Sequence, residues 1–577
     1  MGTYIRLVDI NDAKGKESAF LSAVQDKNSS IRFETSAENF SKIPGSPVAY
    51  WVSEAAYNVF GNSKSIEDFA HPRQGLATGN NDKYLRLWNE VNYYEIKRDA
   101  INLYDFFASK CKYIPYNKGG TYRKWFSSLE WVIRFDEVNY NSLKNVGNHL
   151  PSRDLYFKES ITWSKVTSGG LSMRYVPEGS AFDVAGCSIF IEHNIKYLLS
   201  FVNSKVMQYL INCLSQTLNY EVGNIKSIPL IFEKKHINHV EVVSQKNIEI
   251  SYKDYSSYET SWDFKTHPFV THKSNDQIEA SFKNWEEFAE RQFYQLKANE
   301  EELNRIFIDI YGLQDELTPD VEEKDVTVRK ADLGRDIRSF ISYAVGCMLG
   351  RYSLDVEGLA YAGGDWDQSK YKTYIPDADN CIPITDEEYF DDDIVSRFVD
   401  FVKAVYGKDT LEKNLEFIAE ALGNRGDTPL KTIRNYFIND FYKDHVKIYQ
   451  KRPIYWLFDS GKENGFKALI YMHRYNADTI GNIRIEYIHK LQAKYESQLS
   501  FEQHLIDTSQ NQREKSAAMK QKEKLIRQIK EIKDYDVKIA HLANCRIEID
   551  LDDGVKVNYE KVQTGKDGKK LEVLGKI

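Results

Sequence analysis

The sequence predicts an α+β protein: a mixed, β-rich region followed by a mainly helical region with long helices. Two textures predict it. Residues 61 to about 275 are rich in Gly, Asn, Ser, Tyr and Trp and carry many short runs of β-forming residues. From about 276 apolar residues recur at helical spacing over long stretches, as in SFKNWEEFAERQFYQLKANEEELNRIFIDIYGL. Composition agrees: 577 residues, 42% hydrophobic and 28% charged, are enough for several buried cores and too apolar for a disordered chain. Four segments are expected, 1–60, 61–280, 281–480 and 481–577.

In the first segment Tyr4 to Val8 reads as a strand, Pro44, Gly45 and Pro47 fix a rigid turn, and Ala49 to Phe60 reads as a helix. The second segment holds one expected helix, NIKYLLSFVNSKVMQYLINCL, whose apolar positions Leu198, Phe201, Val202, Val206, Tyr209 and Leu210 keep a 3–4 spacing. Further helices are expected at Leu333 to Tyr352, Ile394 to Tyr406 and Leu411 to Leu422, and a strand in PIYWLF. Between about 482 and 542, Ile488, Leu491, Tyr495 and Leu499, then Leu525, Ile529, Ile532 and Ile539, suit an antiparallel helical pair or a short coiled coil. IDLDDGVKVNY reads as two strands around an Asp-Gly turn.

Counting excludes several chemistries. No two of the 31 Gly stand two residues apart, so there is no G-x-G dinucleotide fingerprint, and no GxxxxGK[ST] loop occurs. Gly pairs four apart enclose Ala77, Met348 and Glu463, so there is no G-x-S-x-G elbow. All 13 Pro are isolated. The [ND]-P-P-[YF] motif of amino-methyltransferases, which holds the target amino group and stacks on the flipped base, therefore cannot occur. No catalytic residue is assigned.

Metal sites are not expected either. His236 and His239 could share a helix face, and His267 and His272 flank Pro268, but neither pair has neighbouring ligands to complete a tetrahedron. The acidic run from Asp386 to Asp393 reads as a solvated helix start. The six Cys are far apart without CxxC, as in reduced cytoplasmic proteins. No apolar run reaches about 18 residues, so no membrane span is expected, and MGTYIRLVDINDAKGKE lacks the apolar core of a signal peptide.

With 77 basic and 85 acidic residues the chain carries −8, so a nucleic-acid site must be a local patch. KCKYIPYNKGGTYRKWFSSLEWVIR (110–134) is that patch, with six Lys/Arg, one acid and interleaved Tyr113, Tyr116, Tyr122, Trp125 and Trp131. Gly119-Gly120 permits close backbone approach to a ligand. Lys and Arg neutralise phosphates, and Arg and Asn can read base edges. A lysine-rich hairpin with its aromatics facing a core fits the same residues. GLATGNNDKYLRLW (75–88), WSKVTSGGLSMRY (163–175) and TLNYEVGNIKSIP (217–229) share the polar, small-residue character of recognition loops, and of ordinary turns.

These segments carry a resemblance. IPGSPVAYWVS, GLATGNNDKYLRLWNEV, YNKGGTYRKWF, YFKESITWSKVTSGGLSMRY, FDVAGCSIF, LLSFVNSKVMQYLINCLSQTLNYEVGNIKSIPL, ISYAVGCMLGRYSLDVEGLAYAGG and NDFYKDHVKIYQKRPIYWLFDSGKENGFKALIYMHRY resemble the C-terminal half of the PglX family, the adenine-specific DNA methyltransferases of BREX phage-exclusion systems. The LLSFVNSK helix followed by NIKSIP is also similar to target recognition domains of type I specificity subunits. The resemblance implies that an N-terminal Rossmann-like half binds S-adenosylmethionine and methylates adenine N6, while these residues choose the DNA sequence. Residues 1–60 would enter from the catalytic half, 61–280 would clasp double-stranded DNA, and the helical remainder would meet other phage-defence subunits. No cofactor is expected in this chain.

The contact residues expected on that basis are Thr78, Asn80, Asn81 and Arg86, then Lys118, Tyr122, Arg123 and Lys124, then Ser168, Arg174, Lys205 and Asn219. Lys is assigned to phosphates, and Arg and Asn to phosphates and base edges. The alternative is a scaffold subunit of the defence complex that never touches DNA; aromatic-rich surfaces and amphipathic helices serve it equally well.

Overall fold

The computed structural model describes residues 1–127, 129–167, 169–214 and 218–577. Ser168 lies outside them. The described chain is mixed α+β and divides into two compact units, each discontinuous in sequence. The first comprises 1–85, 97–255 and 291–329; the second comprises 86–96, 256–290 and 330–577.

In the first unit β1 (Gly2–Ile5) pairs antiparallel with β2 (Arg32–Thr35). The helix expected from Ala49 begins at Glu54, because the Ser53 hydroxyl accepts from the Ala56 amide and caps it there. Next come β3 (His71–Arg73) and β4 (Leu85–Leu87), where the chain passes into the second unit, then β5 (Tyr113–Asn117), β6 (Trp125–Phe126) and β7 (Trp131–Arg134). β8 (Ser160–Ser164), β9 (Met173–Val176), β10 (Ala181–Phe182) and β11 (Gly186–Phe190) complete the unit's strands. Five of them form a sheet in the order β3-β11-β8-β9-β6, and β5 lies between β10 and β7 in another. All five residues of β5 and of β11 are buried, polar Asn117 and Ser188 included, so neither strand alternates between a buried and an exposed face.

Two cores hold this unit. One gathers Trp125, Trp163, Met173, Tyr197, Phe201, Met207 and Phe307; the other gathers Ile114, Tyr116, Phe135, Tyr156 and Phe182. The single helix expected over 194–214 is two, Ile195–Val202 and Lys205–Leu214. Asn203 breaks it: its amide accepts from the Met173 N–H and donates to the Met173 carbonyl, both at 2.9 Å, and so stitches the break to β9. Ser204 then accepts from the Met207 amide and starts the second helix.

The second unit is mainly helical. Its first core packs the helices Leu333–Met348, Ile394–Tyr406, Leu411–Ala421 and Pro429–Tyr436 around Phe340, Phe398, Phe401 and Tyr406. A small sheet runs in the order β12-β14-β13, from β12 (Ile382–Pro383), β13 (Tyr455–Asp459) and β14 (Lys467–Tyr471). The helices His489–Thr508 and Gln512–Cys545 form an antiparallel pair, with Glu496 against Lys533 at 3.2 Å and Arg484 against Asp536 at 2.8 Å. The helix Ile278–Tyr311 begins in the second unit and ends in the first.

The tail departs from expectation. Asp550 caps a helical turn, Leu551–Asp553, that holds Asp552 and Asp553 and is followed by a helix, Gly554–Lys561, in place of two strands. Val555, Asn558, Tyr559 and Val562 are buried at 3–4 spacing, a helical period that a short polar-apolar alternation conceals.

Candidate nucleic-acid interface

The 110–134 segment folds inward far more than its charge suggests. Tyr113, Tyr116 and Trp125 are buried in the cores. Lys124 is 8% exposed, and its Nζ lies 2.8 Å from Glu300 Oε2, while Trp125 Nε1 donates to the other oxygen at 2.6 Å. Burial pulls the Lys124 ammonium down, Glu300 pulls it up, and the net is upward. Arg123 donates to Asp254 at 2.8 Å and lies over the Tyr255 ring at 5.0 Å. Arg134 meets Asp136 at 3.4 Å. At least three of the six cations are thus neutralised within the fold, two by carboxylates more than a hundred residues downstream. Lys124, expected as a phosphate contact, is a buried cation paired with Glu300, and Arg123 is the partner of Asp254.

Arg174 is also enclosed. It is 2% exposed, with Nη1 donating to the Thr121 carbonyl at 3.0 Å, and burial, then the nearby Arg123, lowers its pKa to about 10. Thr78 is buried and donates to Asn81 Oδ1 at 2.7 Å. Arg86 belongs to the second unit, where it donates to the Asp552 carbonyl at 3.0 Å.

The remaining candidates reach the surface to different degrees. Asn80 and Asn81 are exposed; Asn80 caps a short helical turn by accepting from the Lys83 amide. Asn148 holds their loop, accepting from the Ala77 amide and donating to the Gly75 carbonyl. Lys118 is half-buried, with its ammonium 4.9 Å over the Trp131 ring, and Asn219 is exposed. Tyr122 is half-buried, and burial raises its hydroxyl pKa. Lys205 is half-buried at a helix start, where its own amide donates to Asn304.

Three of the loops meet in the first unit. The Gly120 amide donates to Ser164 Oγ at 3.0 Å, and that hydroxyl donates back to the Gly120 carbonyl at 2.8 Å. Lys165–Thr167 pairs antiparallel with Leu218–Tyr220: Tyr220 N donates to Lys165 O at 2.8 Å and Thr167 N to Leu218 O at 3.2 Å. Trp163 Nε1 donates to the Tyr220 carbonyl and anchors the base of this ribbon. Val166 and Leu218, 66% and 61% exposed, stand on it. Sequence reading missed both, because an isolated aliphatic in a polar loop carries no signal until its loop is paired.

His236 and His239 lie on the helix Lys234–Ser256, where His239 meets Glu302 at 2.7 Å. In the acidic run Asp386 and Asp393 are buried rather than solvated: Asp386 takes Lys524, and Asp393 takes Arg434 in a two-pronged pair at 2.7 and 2.8 Å. Among the described residues no group of three or more His, Cys, Asp or Glu is arranged to hold a metal ion, and no helix is long and apolar enough to cross a membrane.

No protein-family model matches the chain. It is 43% identical over 580 residues to the adenine-specific methyltransferase PglX of Lacticaseibacillus casei (strain Zhang), an alignment covering 98% of this chain and 48% of that protein. The chain is similar to PglX along nearly its whole length. It is also 37% identical over 593 residues to the adenine-specific methyltransferase BrxX of Escherichia coli O9:H4 (strain HS), covering 97% of this chain and 47% of BrxX. The chain thus spans about half the length of the curated PglX and BrxX relatives it matches.

Proposed function

We propose that this PglX-like chain is the DNA sequence-recognition part of a site-specific adenine-N6 DNA methyltransferase in BREX-type phage defence. S-adenosylmethionine binding and methyl transfer belong to a catalytic half outside these residues. The observation that carries the reading is the pairing of two facts. The alignment to adenine-specific methyltransferases runs along 98% of the chain yet reaches only 48% of the relative, and the sequence has neither a G-x-G fingerprint nor a Pro-Pro pair. Its partners are double-stranded DNA, the catalytic half and other defence subunits, in the cytoplasm.

Duplex binding by the full chain, with and without a catalytic half, tests this. Affinity should fall steeply with salt. Absence of duplex binding in both preparations overturns the reading, and methyl transfer by the chain alone would overturn the assignment of catalysis elsewhere.

A second reading, a scaffold subunit without DNA contact, is favoured by the internal neutralisation of Arg123 and Lys124. Charge reversal at the half-buried Lys118 separates the two: it weakens DNA binding under the first and changes nothing under the second.

A further inference from the structure

The ribbon of Lys165–Thr167 and Leu218–Tyr220 exposes Val166, Leu218 and Asn219, with Thr167 half-buried. Antiparallel pairing puts residues directly opposite one another on the same face, and the face alternates along the strand. Val166 pairs with Asn219, so both project from one side; Thr167 and Leu218, opposite one another, project from the other. Each side therefore carries one exposed aliphatic beside one polar group. At the base, Tyr220 is 5% exposed and Trp163 donates to its carbonyl, so the ribbon is rooted in the core while Val166 and Leu218 stay outside it.

We propose that this ribbon enters the major groove of the target duplex and that Val166 and Leu218 contact thymine methyl groups there; the proposal rests on the DNA-recognition reading above. A ribbon lying on a flat protein partner would present one apolar face. One aliphatic on each of two opposite faces suits a slot with two walls. The major groove, about 12 Å wide, admits a two-stranded ribbon, and it displays the thymine methyl beside amide- and hydroxyl-readable base edges. Lys165, 3.0 Å from Glu221 at the ribbon's root, leaves the ribbon little net charge of its own. Its contribution is accordingly discrimination rather than salt-dependent affinity.

Selection of duplexes from a random-sequence library by the full chain tests the proposal. The wild-type chain should enrich one motif. The double variant Val166→Ser/Leu218→Ser should keep duplex affinity within about threefold, with unchanged salt dependence, and lose about tenfold or more of the enrichment. Replacing thymine by uracil in the enriched motif should weaken wild-type binding at one or two positions and leave the variant indifferent. Equal enrichment by both chains, or no effect of uracil on the wild type, overturns the ribbon's role while the DNA-recognition reading stands. A wild-type chain that, both with and without a catalytic half, binds no duplex or enriches no motif overturns both. Both side chains are exposed, and wild-type thermal unfolding of the variant excludes misfolding as the cause.

Discussion

Lys124 Nζ sits 2.8 Å from Glu300 Oε2, with only 11% and 4% of the two side chains exposed. A charge pair so enclosed is costly to halve. Removing one partner of a buried pair typically costs about 3–5 kcal/mol, because the other charge is left without compensation. Lys124→Met should therefore lower the midpoint of urea unfolding sharply. Lys124→Met/Glu300→Gln should recover part of the loss, since Gln still accepts from Trp125 Nε1. Equal midpoints for wild type and Lys124→Met would show the pair to be unimportant.

The same pair separates structural from DNA-facing cations. Lys118→Glu should weaken duplex binding and reduce the log–log salt slope by roughly one. Lys124→Met, assayed where it is folded, should leave that slope unchanged. Fluorescence anisotropy across a salt series reads both.

Acid should destabilise the second unit. Burial lowers His267, His445 and His473 to about 3 from 6.5, so the unfolded chain takes up protons there that the folded chain refuses. Their contribution is complete above about pH 6.5 and is lost as pH falls toward 3. Asp377 opposes them: burial, then Asp379, raises it from 3.8 to about 7, so its folded form prefers the proton and acidification from 7 to 4 favours folding. Each group is worth about 1.4 kcal/mol per pH unit while its proton differs between states, so the three histidines outweigh Asp377 together with the smaller upward shifts that burial gives Glu259, Asp392 and Asp459. Melting temperature should fall between pH 6 and 4, and more steeply in Asp377→Asn, which lacks the opposing aspartate.

Gly147 is pinned. Its φ is +61°, and a Cβ there would lie 1.7 Å from the Ala77 carbonyl oxygen. Gly147→Ala should cost at least about 1–3 kcal/mol and raise hydrogen exchange in the 75–81 loop. Gly61, in a helix and facing open space, is the control; Gly61→Ala should stabilise by roughly 0.5–1 kcal/mol.

Local physics made much of the fold readable. The heptad-like spacing of Leu525, Ile529, Ile532 and Ile539 is the buried face of the helix Gln512–Cys545, and PIYWLF forms most of β13. What failed was non-local. Asn203 breaks a helix through bonds to Met173, thirty residues away, which no spacing within 194–214 encodes. The cationic segment looked free because Asp254 and Glu300 stand far along the chain. Its interleaved aromatics served both readings equally, and burial of Trp125 and Tyr116 decided that they face cores. At the candidate interface the loops were legible from composition, but which side chains they expose was not.

Because each unit is assembled from three separate stretches, the polypeptide crosses from one to the other five times. No scissor cut yields either unit as a contiguous fragment. A ribosome must emit residue 329 before the first unit has all its parts, and residues 86–96 must wait for sequence beyond 330 to join theirs. Biosynthesis of this chain is thus a task of delayed assembly, and a nonsense codon anywhere before 330 should leave material for proteases rather than a working half.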